Sequence, residues 1–475
     1  MTRTAEMSLI TRDMRSPVRL ACILVRNQPG DPDEPPDRRS CPLSRVRAGL
    51  GARLDLVLRG DGADGLEGAG VAEDRGGQGV GDSLAVDDAV QVFTHGLAAQ
   101  TLAVPTIYER FAVHGRTSVV AGNMYARGAG SWIRPSLTHI ARFTRGGNLF
   151  GMPAREYDQQ IVDRLIDHIS DNRLPDLTTL YFMGLDHESH LHGPLSAQRE
   201  YLERHVDPMV GQFWRAVEAA GGPPPLVIVF SDHGQIVVEP DDIHSLKIGF
   251  PFDKEMAHFF TALNLDVHDY PGEDPACDAV MALNGGMAFV YLRNGEGHWA
   301  DPPDFERDVL PVGRAFWEAH ASGRYAPELR SALSAVLLRD VGRKSWDAGM
   351  SALTPDGRIV SLEEWFAAQP EGFYLDPVQR LRHHASRLSG DLVLLSNYSG
   401  GYYFGAQMAG VHGGLHPDDS WATLAYGWPG APAPEWEHAA MRIRMAIENR
   451  CKFEGGRMAS TCDMITGLEA VYQPS

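Results

Sequence analysis

The sequence predicts an α/β fold with a mostly parallel central sheet and helices on both faces, a three-layer sandwich. Three observations carry this. Short apolar runs alternate with amphipathic stretches from about residue 93 onward, the pattern of strands joined by helical crossovers. Two of the runs, LTTLYFM and LVIVF, are almost continuously apolar, as strands covered on both faces are. The length, 475 residues, suits one large α/β domain or two ordinary ones.

In chain order, PTIYERFAVHG reads as a short helix ending at a glycine, and TSVVAG as the strand after it. Tyr157, Ile161, Leu165 and Ile169 recur every four residues, which predicts an amphipathic helix. LTTLYFMG follows as a buried strand, residues 196–220 as a further helix, and Leu226–Phe230 as another strand. Later strands are expected at Met287–Leu292, Asp391–Leu395 and Thr423–Ala425. The stretch 240–390 has fewer clean strand–helix pairs and reads as an insertion over the ligand edge of the sheet. No internal repeat is visible.

Composition narrows the classes of function. Hydrophobic residues make up 43% and charged residues 22%, a globular balance. No apolar run reaches the roughly 18 residues of a membrane span. The net charge of −19 is opposite to what phosphate neutralisation on a nucleic acid demands, so no nucleic-acid surface is expected. The five cysteines, Cys22, Cys41, Cys277, Cys451 and Cys462, include no CxxC pair, which argues against a disulfide framework and a thiolate zinc site. The N-terminus scatters charges through its apolar residues and lacks the core of a secretory signal. The expectation is a cytoplasmic chain.

Residues 1–92 differ from the rest: they hold no aromatic residue, the first being Phe93, and the first histidine is His95. The segment is rich in Gly, Asp, Arg and Pro, with two short apolar runs, Leu20–Val25 and Leu54–Leu58. It is expected to be a disordered or aberrant N-terminal segment, with residues 93–475 forming the main domain.

Three short segments carry the chemistry. Gly184-Leu185-Asp186-His187-Glu188-Ser189-His190-Leu191-His192-Gly193-Pro194 follows the LTTLYFM strand; Ser231-Asp232-His233-Gly234 follows LVIVF; Gly410-Val411-His412-Gly413-Gly414 precedes the WATLAYG strand. In open α/β sheets, ligands bind beyond the carboxyl ends of the strands, so the first two segments open onto one edge. Carboxylate with imidazole and no thiolate is a donor set for zinc or manganese. Asp186 and His190, four apart on a predicted loop, can reach one ion, and adjacent Asp232 and His233 can do so at a sharp turn. Two such ions would hold the attacking and leaving oxygens of a displacement at phosphorus. They would also give an acidic protein the local positive charge that an anionic substrate needs.

The order D-x-x-x-H-x-x-G-P, S-D-H-G, G-x-H-G resembles the alkaline-phosphatase superfamily, and within it the nucleotide pyrophosphatase/phosphodiesterase type. The resemblance covers about residues 93–475. It implies the alkaline-phosphatase-like sandwich, with Asp186, His190 and His412 holding one metal and Asp232 and His233 the other. Two divalent ions are implied, zinc first and manganese as the alternative. His187, His192 and His416 fall outside the ligand pattern. The implied reaction is metal-dependent hydrolysis of a phosphodiester or phosphoanhydride in a small phosphorylated substrate, a metal-bound hydroxyl attacking phosphorus. The alternatives are a phosphomonoesterase or phosphonate hydrolase, or a catalytically inactive metal-binding member.

The resemblance also calls for two N-terminal elements: an Asp ending the first strand, and a Thr or Ser nucleophile in a P-x-T-like turn. Neither is recognisable. Ser44, in Pro42-Leu43-Ser44-Arg45, is the candidate nucleophile and Thr94 the fallback; Asp13 or Asp61 is the candidate metal-binding Asp. Three explanations fit: a diverged first strand, a lost nucleophile, or an out-of-frame translation of residues 1 to about 90. Arginine without lysine in that segment does not separate them, since the whole chain has only four lysines.

Overall fold

The computed structural model describes residues 20–25, 102, 104–136, 138–140, 152–248, 255–268, 277–295, 299, 301–344, 348–382, 384 and 389–472. The first sheet has six strands: β1 (Leu20–Val25), β2 (Ser118–Ala121), β3 (Ser131–Ile133), β4 (Leu177–Phe182), β5 (Leu226–Phe230) and β17 (Leu424–Gly427), in the order β17-β5-β1-β4-β2-β3. Around it lie helices α1 (Ile107–Val113), α2 (Ala154–Asn172), α3 (Gly184–His192), α4 (Ser196–Tyr201) and α5 (Asp207–Ala220). A π-helical turn, Leu202–Val206, joins α4 to α5.

Alternate side chains of each strand enter different cores, as the two-residue period of a strand requires. Leu180 and Phe182 of β4 and Val227 of β5 face α2, α4 and α5, beside Tyr157, Ile161, Leu165 and Phe213. Leu177 and Tyr181 of β4, with Leu226, Ile228 and Phe230 of β5, face α1 on the opposite side. Thr106 starts α1 with a capping box: its hydroxyl accepts from the Glu109 N–H, and the Glu109 carboxylate accepts from the Thr106 N–H.

The sheet is mixed and meets the expectation of mostly parallel strands only in part. β2 runs parallel to β3 and β4. β1, however, is antiparallel to both β4 and β5, and β17 is antiparallel to β5. Four strands, β2 to β5, therefore point one way, and β1 and β17 point the other. Crossover helices fix the direction only of strands they connect, such as β4 and β5. An apolar run such as Leu20–Val25 satisfies ladder hydrogen bonds in either direction, so its polarity cannot be read from its composition.

Downstream, the short strands β6 (Ile236–Val237) and β7 (Ser245–Leu246) lead to helix α6 (Glu255–Ala262) and a seven-stranded sheet. Its strands are β8 (Val267–His268), β9 (Ala279–Asn284), β10 (Met287–Leu292), β11 (Leu333–Arg339), β12 (Met350–Leu353), β13 (Ile359–Val360) and β14 (Leu392–Ser396), in the order β13-β12-β11-β14-β10-β9-β8. All its pairings are antiparallel except β8 with β9. Helix α7 (Leu310–Ser322) covers one face, where Phe316 stacks on Phe259 of α6 at 4.0 Å between ring centroids. The Gly285-Gly286 turn between β9 and β10 is a short-range hairpin signal in the sequence, and it explains why strand–helix alternation fades here. The chain closes with β15 (Tyr403–Phe404), β16 (Gly410–Val411), helix α8 (Pro417–Ser420), β17, and helices α9 (Ala433–Phe453) and α10 (Met464–Val471).

Candidate active site

β4 and β5 point the same way, so their carboxyl ends open on one edge, and the three motif segments meet there. The first is not the predicted loop: Gly184–His192 is the helix α3. Its consequence is favourable, because residues four apart lie above one another on a helix face. Asp186 and His190 thus share one face, with His190 Nε2 3.3 Å from Asp186 Oδ1.

His412 arrives from the other side of the chain. β16, just before it, pairs with β6, just after the Ser231–Gly234 turn. This places His412 Nε2 3.1 Å from His190 Nε2 and 3.6 Å from Asp186 Oδ1. The three donor atoms form a triangle with edges of 3.1, 3.3 and 3.6 Å. An ion bound tetrahedrally at about 2.0–2.1 Å holds its ligand atoms about 3.3 Å apart, so the triangle fits one such ion. His233 extends the group: Asp186, His233 and His412 each offer a ligand atom within 4.8 Å of the others, and the His233 and His412 rings stack at 3.7 Å between centroids. All three are buried.

Backbone carbonyls set the rings. His190 Nδ1 lies 2.7 Å from the Gly410 carbonyl, and His233 Nδ1 lies 2.9 Å from the Gly234 carbonyl. A carbonyl can only accept, so each Nδ1 carries a proton, and Nε2 is the nitrogen left to bind a cation. That is the arrangement of metal-binding histidines, whose second nitrogen is held by a fixed acceptor. Asp232 lies beside His233, with Oδ1 3.5 Å from His233 Nε2. Its Oδ2 accepts from the Tyr181 hydroxyl at 3.4 Å, and its Oδ1 accepts from the His233 N–H at 3.1 Å. The structure therefore brings together all five residues Asp186, His190, Asp232, His233 and His412. Of the other histidines, His192 stays outward beside Glu188, and His416 caps α8 by accepting from the Asp418 N–H.

Three anchors that the sequence reading did not single out hold these segments. Asp158, buried on α2, accepts from the Met183 and Gly184 N–H groups and the Tyr201 hydroxyl. Burial pushes its carboxyl up to about 7, against the lowering effect of those hydrogen bonds. Asp419 of α8, also buried, accepts from the Gly414 N–H at 2.6 Å and the Ser420 hydroxyl at 2.8 Å; burial raises its carboxyl as well. Its backbone carbonyl accepts from the Gly234 N–H at 2.8 Å, so α8 ties the Asp232 turn to the His412 loop. Arg380 adds bonds to the Gly414 carbonyl and the Ser420 hydroxyl. The third anchor is the β9–β10 turn, where the Gly286 N–H donates to the His412 carbonyl at 2.8 Å. A side chain at Gly286 would strike the Gly414 Cα at 2.5 Å. The signal available in sequence was an ionisable residue inside an apolar stripe, Asp158 beside Tyr157, Ile161 and Leu165.

The expected Asp after the first strand is not delivered by β1. Val25 pairs with Leu177 and Leu226, at the amino ends of β4 and β5, so the chain leaves β1 at the edge opposite the site. Asp13, Ser44, Asp61 and Thr94 lie outside the described residues. For a second ion, the described residues offer Asp232 and His233 as donors not already in the triangle.

Comparison with known proteins gives the class. Residues 148–372 match the family described as type I phosphodiesterase / nucleotide pyrophosphatase, a stretch that holds Asp186, His190, Asp232 and His233. Just under half of the chain thus carries this family's pattern, in line with the resemblance read from its motifs. No curated protein matches it. Among solved structures it is similar to murine ectonucleotide pyrophosphatase/phosphodiesterase 5, an inactive form in complex with AMP, at 14% identity and a TM-score of 0.38, covering 68% of this chain and 63% of that one. The human protein of the same name matches at 13% identity and a TM-score of 0.39, covering 70% of this chain and 65% of that one. The chain thus spans less than two thirds of the structures it matches. No helix among the described residues is long and apolar enough to cross a membrane.

Proposed function

We propose that this chain is a metal-dependent phosphoesterase acting on a phosphodiester or phosphoanhydride in a small phosphorylated substrate. The observation that carries the reading is the triangle of Asp186 Oδ1, His190 Nε2 and His412 Nε2, with edges of 3.1–3.6 Å and a ring fixed by the Gly410 carbonyl. These three residues would hold one divalent ion, and Asp232 with His233 would contribute to a second; zinc suits the donor set first and manganese second. A divalent ion bound there supplies Lewis-acid stabilisation of charge on phosphoryl oxygens.

The chain's own residues supply orientation. The Gly410 and Gly234 carbonyls accept from Nδ1 of His190 and His233, which orients each ring and leaves Nε2 as the nitrogen that would face a cation. Tyr181 holds the Asp232 carboxylate beside His233. In a protein of net charge −19, the cation at this edge is what would make an anionic phosphate welcome.

The polarity of β1 favours a second reading, a chain that binds metal without turnover, because the strand between β4 and β5 carries no residue from its carboxyl end to the site. Metal content measured together with hydrolysis of bis-p-nitrophenyl phosphate and p-nitrophenyl phosphate separates the readings. Bound zinc with preferential diester turnover is the expected result. Bound metal with no turnover of either ester supports the second reading. A chain that takes up no divalent metal contradicts both.

A further inference from the structure

We propose that Asp158 is a positioning residue for this centre: its buried carboxyl fixes where α3 begins, and thereby where Asp186 and His190 stand. The inference rests on the reading of those two residues as ligands of a divalent ion.

A helix leaves its first N–H groups without intrahelical partners. The residue that starts α3, Met183, gives no side-chain cap. Asp158 supplies the missing acceptor from another helix. It takes the Met183 N–H at 3.1 Å and the Gly184 N–H at 3.1 Å, and its Oδ2 also takes the Tyr201 hydroxyl at 2.9 Å. The carboxyl group, about 1% exposed, is thus shared by α2, α3 and α4. Gly184 is part of the same device: a Cβ there would lie 2.1 Å from the Tyr201 hydroxyl and 2.6 Å from Asp158 Oδ2, so the pair closes on the helix start only because that residue has no side chain.

The consequence for the centre is geometric. Asp186 lies in the first turn of α3 and His190 one turn later. A helix turns about 100° per residue. Starting α3 one residue early or late would swing both donors away from His412, which is held independently by β16 and α8. Asp158 also sits on the face of α2 that otherwise packs Tyr157, Ile161, Val162 and Leu165 into the core. A buried carboxyl is a poor way to gain stability at such a place, since well-packed apolar residues do as well or better. The π-helical turn directly after Tyr201 belongs to a class of local distortion often found at functional sites, and it follows the residue that holds Asp158.

The test compares the metal-free chain with its Asp158→Asn and Tyr201→Phe variants. Two readouts are used: affinity for Co²⁺ followed by its visible absorption, and amide hydrogen exchange of the peptide spanning residues 183–190. Asparagine has one acceptor oxygen where the carboxylate has two. We expect Asp158→Asn to weaken Co²⁺ binding about 10–100-fold, the range for loss of groups that orient metal ligands. Tyr201→Phe should give a smaller loss in the same direction, and both should speed exchange at the start of α3. A purely structural Asp158 would lower the melting temperature and leave the affinity and spectrum of the folded protein unchanged. That result in both variants would overturn the proposal. If Asp158→Asn does not fold, Tyr201→Phe decides, and wild-type Co²⁺ affinity in it overturns the proposal. Failure of the unaltered chain to bind Co²⁺ is a different outcome, which removes the ligand reading itself.

Discussion

The six-stranded sheet carries ligand-type side chains beyond the ends of β4 and β5, whereas the seven-stranded sheet is built around Phe259, Phe260 and Phe316 and reaches the centre through one turn, Gly285-Gly286. The first sheet invests in buried polar anchors, Asp158 and Asp419, each of which a dry interior disfavours in charged form. The second buries mainly hydrocarbon, and its buried polar groups tie its own strands: Arg339 donates to the Ala348 and Ser389 carbonyls and Asp391 accepts from the Leu292 N–H. The difference teaches that position and stability come from separate parts of this chain. The seven-stranded sheet meets the His412 loop at the end of β9 and its turn: the Gly286 N–H donates to the His412 carbonyl, and Asn284, Gly285 and Gly286 close on residues 411–414.

That separation predicts a dissociation of effects. Phe316 is fully buried, and Phe316→Ala should cost about 3–5 kcal/mol of stability, read by urea unfolding. The divalent-metal affinity of the folded variant should stay at the unaltered level. A comparable loss of affinity in the folded variant would show that the second sheet shapes the site, and would break the comparison.

A smaller effect sharpens the polar side of it. Asp158 titrates near 7 in the folded metal-free chain, against 3.8 ordinarily, because burial outweighs its hydrogen bonds. Between these values the native state keeps a proton that the unfolded chain has released. The stability linked to it is full below the ordinary carboxyl value and is lost as pH rises through about 7. Asparagine at this position does not titrate, so other groups cancel in a difference. The unfolding free energy of the unaltered chain minus that of Asp158→Asn should therefore fall with rising pH, by at most about 1.4 kcal/mol per unit, and level off above about pH 8. A difference that is flat or rises contradicts a buried, proton-holding Asp158.

Much of the first sheet was legible in the sequence because its strands are nearly continuous apolar runs separated by helices. Leu226–Phe230 falls where its run predicts, as does Met287–Leu292 in the second sheet, whereas Leu20–Val25 forms a strand inside the segment expected to be disordered or aberrant. The direction of β1 was not legible, since an apolar run satisfies ladder hydrogen bonds in either direction. The segment after β4 looked like a loop because its histidines, glutamate and glycines mask a helix whose first N–H groups are satisfied from elsewhere, by Asp158. The five clustered residues were legible as types at strand ends, which is a local property. Their anchors were not, because Asp158, Asp419 and Gly286 act through backbone groups far away in sequence.

The central claim is that imidazole and carboxylate at the carboxyl edge of the first sheet hold a divalent ion, with no thiolate. Cys277, Cys451 and Cys462 are buried and are not in the cluster. X-ray absorption of the zinc-loaded chain tests this most directly. The predicted spectrum shows nitrogen and oxygen neighbours at about 2.0–2.2 Å, with the outer-shell scattering of at least two imidazoles. A sulfur shell at about 2.3 Å, or zinc surrounded by water oxygens alone, would contradict the account.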